Sequence, residues 1–223
     1  LDNWPDDIGL EVLREERLVG AMRVDIVDEA ELPERVFPGF SENSLCLVSV
    51  EYDKAQLATD FVPDQDKFIR FEFAARNLSP LRRAIMLRRI LEIETYRAMA
   101  LLALPLAREM APALRAAEAE LTLLVDGLSE LTGIEEVKSR LYALHALFVR
   151  TGQISEKLDY RFAASRAYGA ILQRRLEKLR ERALEQGSSL ASFVGNRVEP
   201  ALATCGAMDK RLAVLSEKLA RAI

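Results

Sequence analysis

The stretch Ser79–Leu104, SPLRRAIMLRRILEIETYRAMALLAL, decides the fold of this chain. Ser79 is a residue type that caps helices and Pro80 suits the first helical position, so a helix is predicted to begin here. The remainder is apolar on nearly every face, which is typical of a helix surrounded by other parts of a protein. We therefore expect the other elements to pack around this helix.

A polar group interrupts the apolar stretch: Glu92, Glu94, Thr95, Tyr96 and Arg97. A buried carboxylate must find a partner or become neutral, because its desolvation is costly. The group therefore marks either an ion pair that stabilises the fold or a site that binds something.

A second stretch, Tyr160–Tyr168 (YRFAASRAY), carries Arg161 and Arg166 among small residues that allow close helix packing. If the two helices meet there, one of these arginines is expected to bind Glu92 or Glu94 through both of its terminal groups. Tyrosine hydroxyls such as that of Tyr96 would complete the network. A network that fixes helix register is favoured over a ligand or catalytic site, and both interpretations stay open.

The composition narrows the class of protein. Half of the 223 residues are hydrophobic and 30% are charged, which suits a globular chain with a sizeable core. A net charge of −4 argues against a nucleic-acid partner. Two distant cysteines, Cys46 and Cys205, indicate a reducing compartment, and a single histidine, His145, excludes histidine-pair metal motifs. We expect no metal, no cofactor and no catalytic residue, and a packing or hydrogen-bonding role for His145.

Residues 1–78 read as a small antiparallel β-rich region. Strands are predicted at Leu18–Val27, Ser44–Tyr52, Gln56–Val62 and Lys67–Phe73. Pro63-Asp64-Gln65-Asp66 favours a hairpin between the last two strands, and its acidic residues, with Asp60, are a turn rather than a calcium loop. In the last strand Ile69, Phe71 and Phe73 are predicted to face inward, and Arg70 and Glu72 outward.

Residues 79–223 read as a long helical bundle without strands. Pro105 and Pro112 are expected to interrupt or restart the first helix. Arg82, Arg83, Arg88 and Arg89 are assigned to a solvated face or to pairing with Glu92. Three later helices follow apolar steps of three or four residues, as in coiled-coil seams: Leu114, Ala117, Leu121, Leu124, Leu128, Leu131; then Val137, Leu141, Leu144, Phe148, Thr151, Ser155, Leu158, Phe162, Ser165, Gly169, Leu172, Leu176, Leu179, Ala183; and finally Val198, Ala201, Cys205, Met208, Leu212, Leu215, Leu219, Ala222.

These elements together predict an α+β fold, a small antiparallel sheet packed on a long antiparallel helical bundle with coiled-coil-like seams. The chain begins at Leu1 rather than Met, so we expect it to be a piece of a longer protein. Its longest apolar run, Ala98 to Ala107, is about ten residues, against about 20 needed to cross a bilayer. Leu212, Leu215 and Leu219 are expected to pack either near Leu172–Leu179 of the same chain or on a second copy.

Several stretches resemble a family of uncharacterised membrane-anchored proteins of proteobacteria: LEIETYRAMALLALPLA, YRFAASRAYGAI and VEPALATC with RLAVLSEKLARA, together with SENSLC and ATDF. The resemblance covers roughly Asn43 to the end. It implies a larger N-terminal α/β domain, and a last helix that continues toward membrane segments outside this chain. It implies no established activity, so it assigns no functional residues.

The layout is also similar, at the level of fold, to the CorA class of divalent-cation transporters. We expect the soluble cytoplasmic part of a protein anchored in the inner membrane, acting as a non-catalytic scaffold or interaction module. It should self-associate as a homo-oligomer with its C-termini pointing the same way. The alternatives are the soluble domain of a CorA-like transporter, and a hydrolase whose site is shared with an N-terminal region.

Overall fold

The computed structural model describes residues 19–128, 131 and 133–223. The strands are β1 (Met22–Val27), β2 (Cys46–Val50), β3 (Ala55–Thr59), β4 (Ile69–Ala74) and β5 (Arg182–Ala183). The helices are α1 (Pro80–Leu101), α2 (Ala103–Val125), α3 (Ile134–Leu179) and α4 (Leu190–Ala222). Long helices and one mixed five-stranded sheet confirm the predicted α+β class. Residues 1–18, which open the predicted β-rich region, lie outside the described residues.

The chain divides into two compact units. The sheet unit comprises Leu1–Ala98 with Arg175–Phe193, and the helical unit comprises Met99–Arg174 with Val194–Ile223. The predicted organisation, 1–78 and 79–223, assigns all of α1 to the helical part, whereas the units divide α1 after Ala98. The predicted domain boundary stays a prediction.

The sheet has the strand order β1-β4-β3-β2-β5. The predicted hairpin is confirmed, because β3 pairs antiparallel with β4, and β2 pairs antiparallel with β3. The prediction of a wholly antiparallel sheet needs correction, since β1 pairs parallel with β4 and places Asp25 beside Glu72. Alternation of residue types identifies a strand but does not encode its direction. The late strand β5 joins β2, so the helical half of the sequence also contributes to the sheet.

Both faces of β4 are covered. Phe71 and Phe73 are fully buried as predicted, and Ile69 is buried with them. Glu72 was predicted to face outward, but it is only 5% exposed. The reason is the segment between β1 and β2, whose Leu32 and Val36 form a second apolar cluster on the sheet with Leu47, Ala58 and Ala74.

Helix α1 begins where the sequence indicates. Ser79 Oγ accepts a hydrogen bond from Arg82 N at 3.4 Å, and Pro80 is the first helical residue. One face is buried, including Met86, Ile90 and Ile93, but Leu81 and Leu91 are exposed. The prediction of burial on nearly every face is therefore wrong. Helix α1 ends at Leu101, four residues before Pro105, because a proline ring clashes with the carbonyl four residues earlier.

In the helical unit, α3 runs antiparallel to both of its neighbours. Arg140 and Arg150 on α3 contact Leu123 and Glu120 on α2, in reverse order along the two helices. Arg166 and Gly169 on α3 likewise lie beside Asp209 and Leu202 on α4. The predicted α4 series from Val198 to Leu219 is buried throughout. Its last leucines pack in one cluster with Leu144, Leu147, Ile154, Leu158 and Phe162 of the same chain. They thus pack within this chain, but not at Leu172–Leu179.

The predicted seam of α3 differs from the buried one at two places. Val137, Leu141 and Phe148 are exposed, whereas Leu144, Leu147, Thr151, Ile154 and Leu158 are buried. Because two apolar series run along this part of α3, the sequence pattern merged them into one. At the other end, α3 stops at Leu179, before the predicted Ala183, because Arg180 takes a left-handed φ of 52°. Helix α4 then begins after Ser189, whose Oγ accepts from Ser192 N at 3.0 Å.

Candidate functional site

The predicted polar network is present in α1, but its partners differ from the prediction. Glu94 is buried and accepts two hydrogen bonds from Arg97 of the same helix, at 2.6 Å and 2.7 Å. The prediction that Glu94 binds Arg161 or Arg166 is therefore wrong. An arginine three residues away on the same helix reaches the carboxylate without help from a second helix. Sequence reasoning grouped Arg97 with the carboxylates but did not pair them.

An aromatic cluster supports the Glu94–Arg97 pair. The Arg97 guanidinium lies 5.2 Å from the ring centroid of Phe61. Phe61 stacks on Phe193 at 5.3 Å and meets Phe71 edge-on at 5.7 Å. Both carboxylate oxygens of Glu94 accept hydrogen bonds from Arg97, and the Arg97 guanidinium lies over the ring of Phe61. These contacts stabilise the ion pair. Phe61 has a φ of 53°, which a bulky residue adopts only when its surroundings impose it.

Glu92 pairs with arginines other than Arg161 and Arg166. Arg175 Nε lies 2.8 Å from Glu92 Oε2, and Arg88 Nε lies 4.0 Å from Glu92 Oε1. The Arg88 contact agrees with the expected pairing one turn away. Arg166 instead pairs with Asp209, and Arg161 is exposed on α3. The structure therefore brings Glu94 and Arg97 together, and it assigns Arg166 and Arg175 to different carboxylates.

The remaining candidate residues lie apart from a common site. Tyr96 is half-buried on α1, and the lone His145 is exposed on α3. Cys46 and Cys205 are buried cysteines, and burial raises the pKa of the Cys205 thiol. Within the described ranges, no group of three His, Cys, Asp or Glu side chains is placed to hold a metal ion.

The turn between β2 and β3 contains a charged cluster that the sequence reading missed. Glu51 is buried and forms ion pairs with Arg82 at 2.8 Å and Arg89 at 3.2 Å. Glu51, Tyr52 and Asp53 all have left-handed φ values, between 50° and 62°. The apolar–polar alternation of the strand gave no signal that Glu51 would fold inward. Each carboxylate oxygen of Glu51 therefore pairs with an arginine of the same cluster.

A second missed cluster lies on the covered face of the sheet. The parallel register sets Asp25 beside Glu72 and Arg23 beside Arg70. Arg23 Nε donates to Asp25 Oδ2 at 2.8 Å, and Arg70 Nε is 3.9 Å from Glu72 Oε1. Desolvation, with a smaller contribution from the Asp25 charge, raises the pKa of Glu72 to about 7. Glu72 is thus a carboxyl group that exchanges a proton near neutral pH.

Arg70 of this cluster also lines a cavity of about 540 Å³ beside the β3–β4 turn. Its guanidinium stacks on Phe40 at 3.9 Å and donates to the carbonyls of Val36 and Pro38 at 3.1 Å each. Asp60 and Asp64 also line the cavity, but their oxygens accept backbone N–H groups of the surrounding loops. This bonding supports the interpretation of these aspartates as turn residues.

The helical unit carries a groove of about 750 Å³ between α2 and α4, referred to here as the α2/α4 groove. Its walls are apolar, and its rim is charged. The lining residues are Glu118, Leu121, Thr122, Val125, Asp126, Lys210, Arg211, Val214, Leu215, Lys218, Arg221 and Ala222. An open groove with apolar walls suits a helix or another elongated apolar ligand better than it suits a reacting small molecule.

These features define the chain as an α+β protein with a mixed sheet unit, a helical unit and internally paired charged clusters. Residues 8–223 match the family described as "Protein of unknown function (DUF3422)", and the chain belongs to that family. The match begins upstream of Asn43, so it covers more of the chain than the resemblance did. Comparisons with curated proteins and with solved structures gave no match. None of the helices in the described part of the chain is long and apolar enough to span a bilayer.

Proposed function

We propose that this chain is a non-catalytic scaffold or interaction module that self-associates through its helical unit. The observation that carries the proposal is a series of apolar residues along α3 that is exposed to solvent. Its members are between 40% and 73% exposed, and they form what is called here the α3 stripe: Ile134, Val137, Leu141 and Phe148. A contiguous exposed apolar surface on a folded unit is typical of a protein–protein contact.

The spacing of the α3 stripe supports a helical partner. Its steps of three, four and seven residues are those of a coiled-coil seam. His145 and Gly152 continue the same spacing, and both are exposed. A Cβ added at Gly152 would meet no atom within 4 Å, so this face leaves room for a second helix.

A neighbouring face of α3 is already occupied. Leu144, Leu147 and Leu158 belong to the core cluster that they share with α2 and α4. The packing of the helical unit therefore uses one of the two apolar faces of α3 and leaves the other open. We take a second copy of this chain as the occupant of the open face, because an apolar stripe with heptad spacing packs well on the helices of another copy.

Analytical ultracentrifugation of the whole chain tests this proposal. The unchanged chain is expected to associate, and Leu141→Glu and Phe148→Glu should each weaken association by about tenfold or more, since each places a charge in the apolar seam. Tyr160→Glu is the matched control, because Tyr160 is an exposed apolar residue of α3 outside the stripe. A strict monomer at high concentration would contradict the proposal.

The proposal includes attachment to the cytoplasmic side of the inner membrane through a segment outside these 223 residues. Its support is the resemblance described above, which implies terminal membrane helices. In that arrangement all C-termini of an oligomer reach one bilayer face, so α4 helices of associated copies run in the same overall direction. Spin labels at Ile223 should then lie close together in the oligomer. Labels found at opposite ends of the assembly would contradict this part of the proposal.

A hydrolase is the second candidate, and the pair Asp25–Glu72 favours it. A carboxyl group with a pKa near 7 suits general acid–base catalysis, and Arg70 connects the pair to a cavity. Hydrolysis of a panel of ester, phosphoester and peptide substrates tests this candidate. Activity that is lost in Glu72→Gln and kept in Glu31→Gln, an exposed control, would support the enzyme; equal rates in all three chains would reject it.

A further inference from the structure

The α2/α4 groove has the dimensions of a site for one extended apolar chain. Leu121 is buried in its lining, whereas Val125 and Val214 are 43% and 49% exposed. Its α4 wall, from Lys210 to Ala222, is about 18 Å long at the helical rise, the length of an extended chain of about 14 carbon atoms. Its volume of about 750 Å³ lies within the range of small-molecule sites.

Two of the four basic residues that line the groove are compensated by carboxylates. Arg211 donates two hydrogen bonds to Glu118, which occupies both oxygens of that carboxylate. Arg221 pairs with Glu217 of the same helix. The excess positive charge of the lining therefore comes from its two lysines.

These lysines flank an exposed apolar residue. Lys210 and Lys218 lie one helical turn before and after Val214, so the three share one face of α4. Neither lysine forms an ion pair with a residue in the described part of the chain. Apolar surface beside an uncompensated cation is complementary to a ligand that combines an apolar chain with an anionic group.

The two ends of the groove differ in charge. Glu118 meets Arg211, and α2 and α4 run in the same direction, so Asp126 after α2 lies toward the C-terminal end of α4. The carbonyl ends of both helices lie at that end too, and they carry partial negative charge. Lys210 lies at the other end, where the lining carboxylate, Glu118, is already bound by Arg211. An anionic group is therefore favoured at the Lys210 end.

We infer that the α2/α4 groove binds a single-chain anionic amphiphile of the fatty-carboxylate class. Its anionic group pairs with Lys210, and its chain runs along Val214 and Val125 toward the C-terminal end of α4. The chain covers apolar surface that is otherwise in water, and the lysine supplies a charge that the groove does not compensate. This inference goes beyond the proposed function and does not depend on the α3 stripe.

Calorimetric titration of the whole chain with dodecanoate, below the concentration at which it forms micelles, tests the ligand class. One molecule is expected to bind per chain. Affinity should rise about tenfold for each two added carbons from octanoate to dodecanoate, because each buried methylene contributes a similar increment. Dodecyltrimethylammonium, a cation with the same chain, should bind at least about tenfold more weakly.

Two results of this titration would overturn the inference. Equal affinity for the anionic and the cationic twelve-carbon ligand would mean adsorption on apolar surface alone. Equal affinity for octanoate and dodecanoate would mean contact with the anionic group alone. Absence of dodecanoate binding would overturn it as well, and would leave the groove to a macromolecular partner.

Substitutions in the groove test the location. Lys210→Glu and Val214→Glu should each weaken dodecanoate binding about tenfold or more, because each places a carboxylate where the ligand lies. Lys210→Arg keeps the charge and should keep the affinity. Lys157→Glu, an exposed residue of α3, matches the charge change of Lys210→Glu and should leave binding unchanged. Circular dichroism verifies the helix content of each variant, and equal affinities in all of them would contradict the groove assignment.

Leu141→Glu separates this inference from the proposed function. It interrupts the α3 stripe and should leave dodecanoate affinity unchanged. Loss of binding in Leu141→Glu would place the amphiphile on the α3 stripe and overturn the groove assignment. A chain that binds dodecanoate but stays a strict monomer would contradict the proposed self-association and support the groove site.

Discussion

The two units differ in where they place polar groups. The buried carboxylates of the described chain, Glu51, Asp60, Glu72 and Glu94, all lie in the sheet unit. Among the described residues of the helical unit, the buried polar side chains are two hydroxyls, those of Thr151 and Ser165. Thr151 donates to the carbonyl of Leu147 at 2.9 Å, so it is satisfied within its own helix.

The exposed apolar residues show the opposite distribution. The helical unit carries most of them, including the α3 stripe and the exposed valines of the α2/α4 groove. A buried carboxylate fixes the positions of its neighbours, because it needs its partners in place. An exposed apolar stripe contributes stabilisation only when another surface covers it. The sheet unit therefore buries charged groups with their partners, whereas the helical unit exposes apolar surface.

The largest expected effect comes from two arginine–glutamate pairs of similar geometry. Glu94 and Arg97 pair in the sheet unit with a glutamate side chain 4% exposed, while Glu118 and Arg211 pair in the helical unit with a glutamate side chain 34% exposed. Glu94→Gln should lower the free energy of unfolding by about 3 kcal/mol, because it strands the Arg97 charge beside buried rings. Urea denaturation measures this change.

Glu118→Gln is the matched substitution in the helical unit. Its cost should stay below about 1 kcal/mol, since water solvates both partners of an exposed pair. Equal losses of unfolding free energy in Glu94→Gln and Glu118→Gln would contradict the distinction between a buried and an exposed ion pair. A cost at Glu94 within experimental error would show that its network is not buried.

The next effect is a dependence of stability on pH that belongs to the sheet unit. A carboxyl whose pKa is raised from 4.5 to about 7 on folding binds its proton more tightly in the folded state. Its contribution to stability is therefore full below about pH 4.5 and is lost as the pH rises through 7. Glu72→Gln should remove this loss and stabilise the protein at pH 8 by about 2–3 kcal/mol relative to the unchanged chain.

Urea midpoints at pH 5, 6, 7 and 8 give the profile of each chain. Glu31→Gln serves as the control, because Glu31 is exposed in the same unit. Its profile should follow that of the unchanged chain. A Glu72→Gln profile parallel to both would mean that Glu72 is ionised throughout this range and that its neighbours compensate its burial.

Local signals in the sequence were sufficient for much of the fold. Ser79 with Pro80 fixed the start of α1, and the steps from Val198 to Leu219 identified the buried face of α4. The β3–β4 hairpin followed from alternation and from the aspartates of its turn. Each of these features depends on neighbours within a few residues, which the sequence displays directly.

Features that depend on a third element could not be read in the same way. The inward position of Glu72 requires the cluster of Leu32 and Val36 to cover the second face of the sheet, and no alternation in β4 reveals that cover. The parallel placement of β1 also depends on how the chain crosses from Val27 to Cys46. The apolar steps of α3 were visible, but two series along one helix cannot be separated without knowing which one is packed.

Glu92 and Glu94 of the candidate network both have arginine partners on α1 or α3, but neither pairs with Arg161 or Arg166. The sequence showed that Glu92 and Glu94 need partners, because their surroundings are apolar. It could not rank Arg175 against Arg161 and Arg166, since that ranking depends on helix register, whereas the spacing of three residues between Glu94 and Arg97 was visible in the sequence. The Glu51 cluster escaped notice because its arginines, Arg82 and Arg89, appeared as members of a solvated face.

The smallest expected effect concerns a glycine on the exposed face of α3 in the helical unit. Gly152 lies within α3, and a methyl group added there would have no neighbour within 4 Å. Gly152→Ala should therefore raise the free energy of unfolding by about 0.5–1 kcal/mol, because glycine loses more chain entropy than alanine in a helix. Gly169→Ala is the control in the same helix, where the methyl would meet Leu202 Cδ1 at 2.5 Å, so the crowding should offset the gain in stability.

Thermal unfolding at low protein concentration measures the stability of the monomer. A gain at Gly152 that turns into weakened association at high concentration would place this residue inside the contact between copies, since a methyl on the open face of α3 would then hold the second helix away.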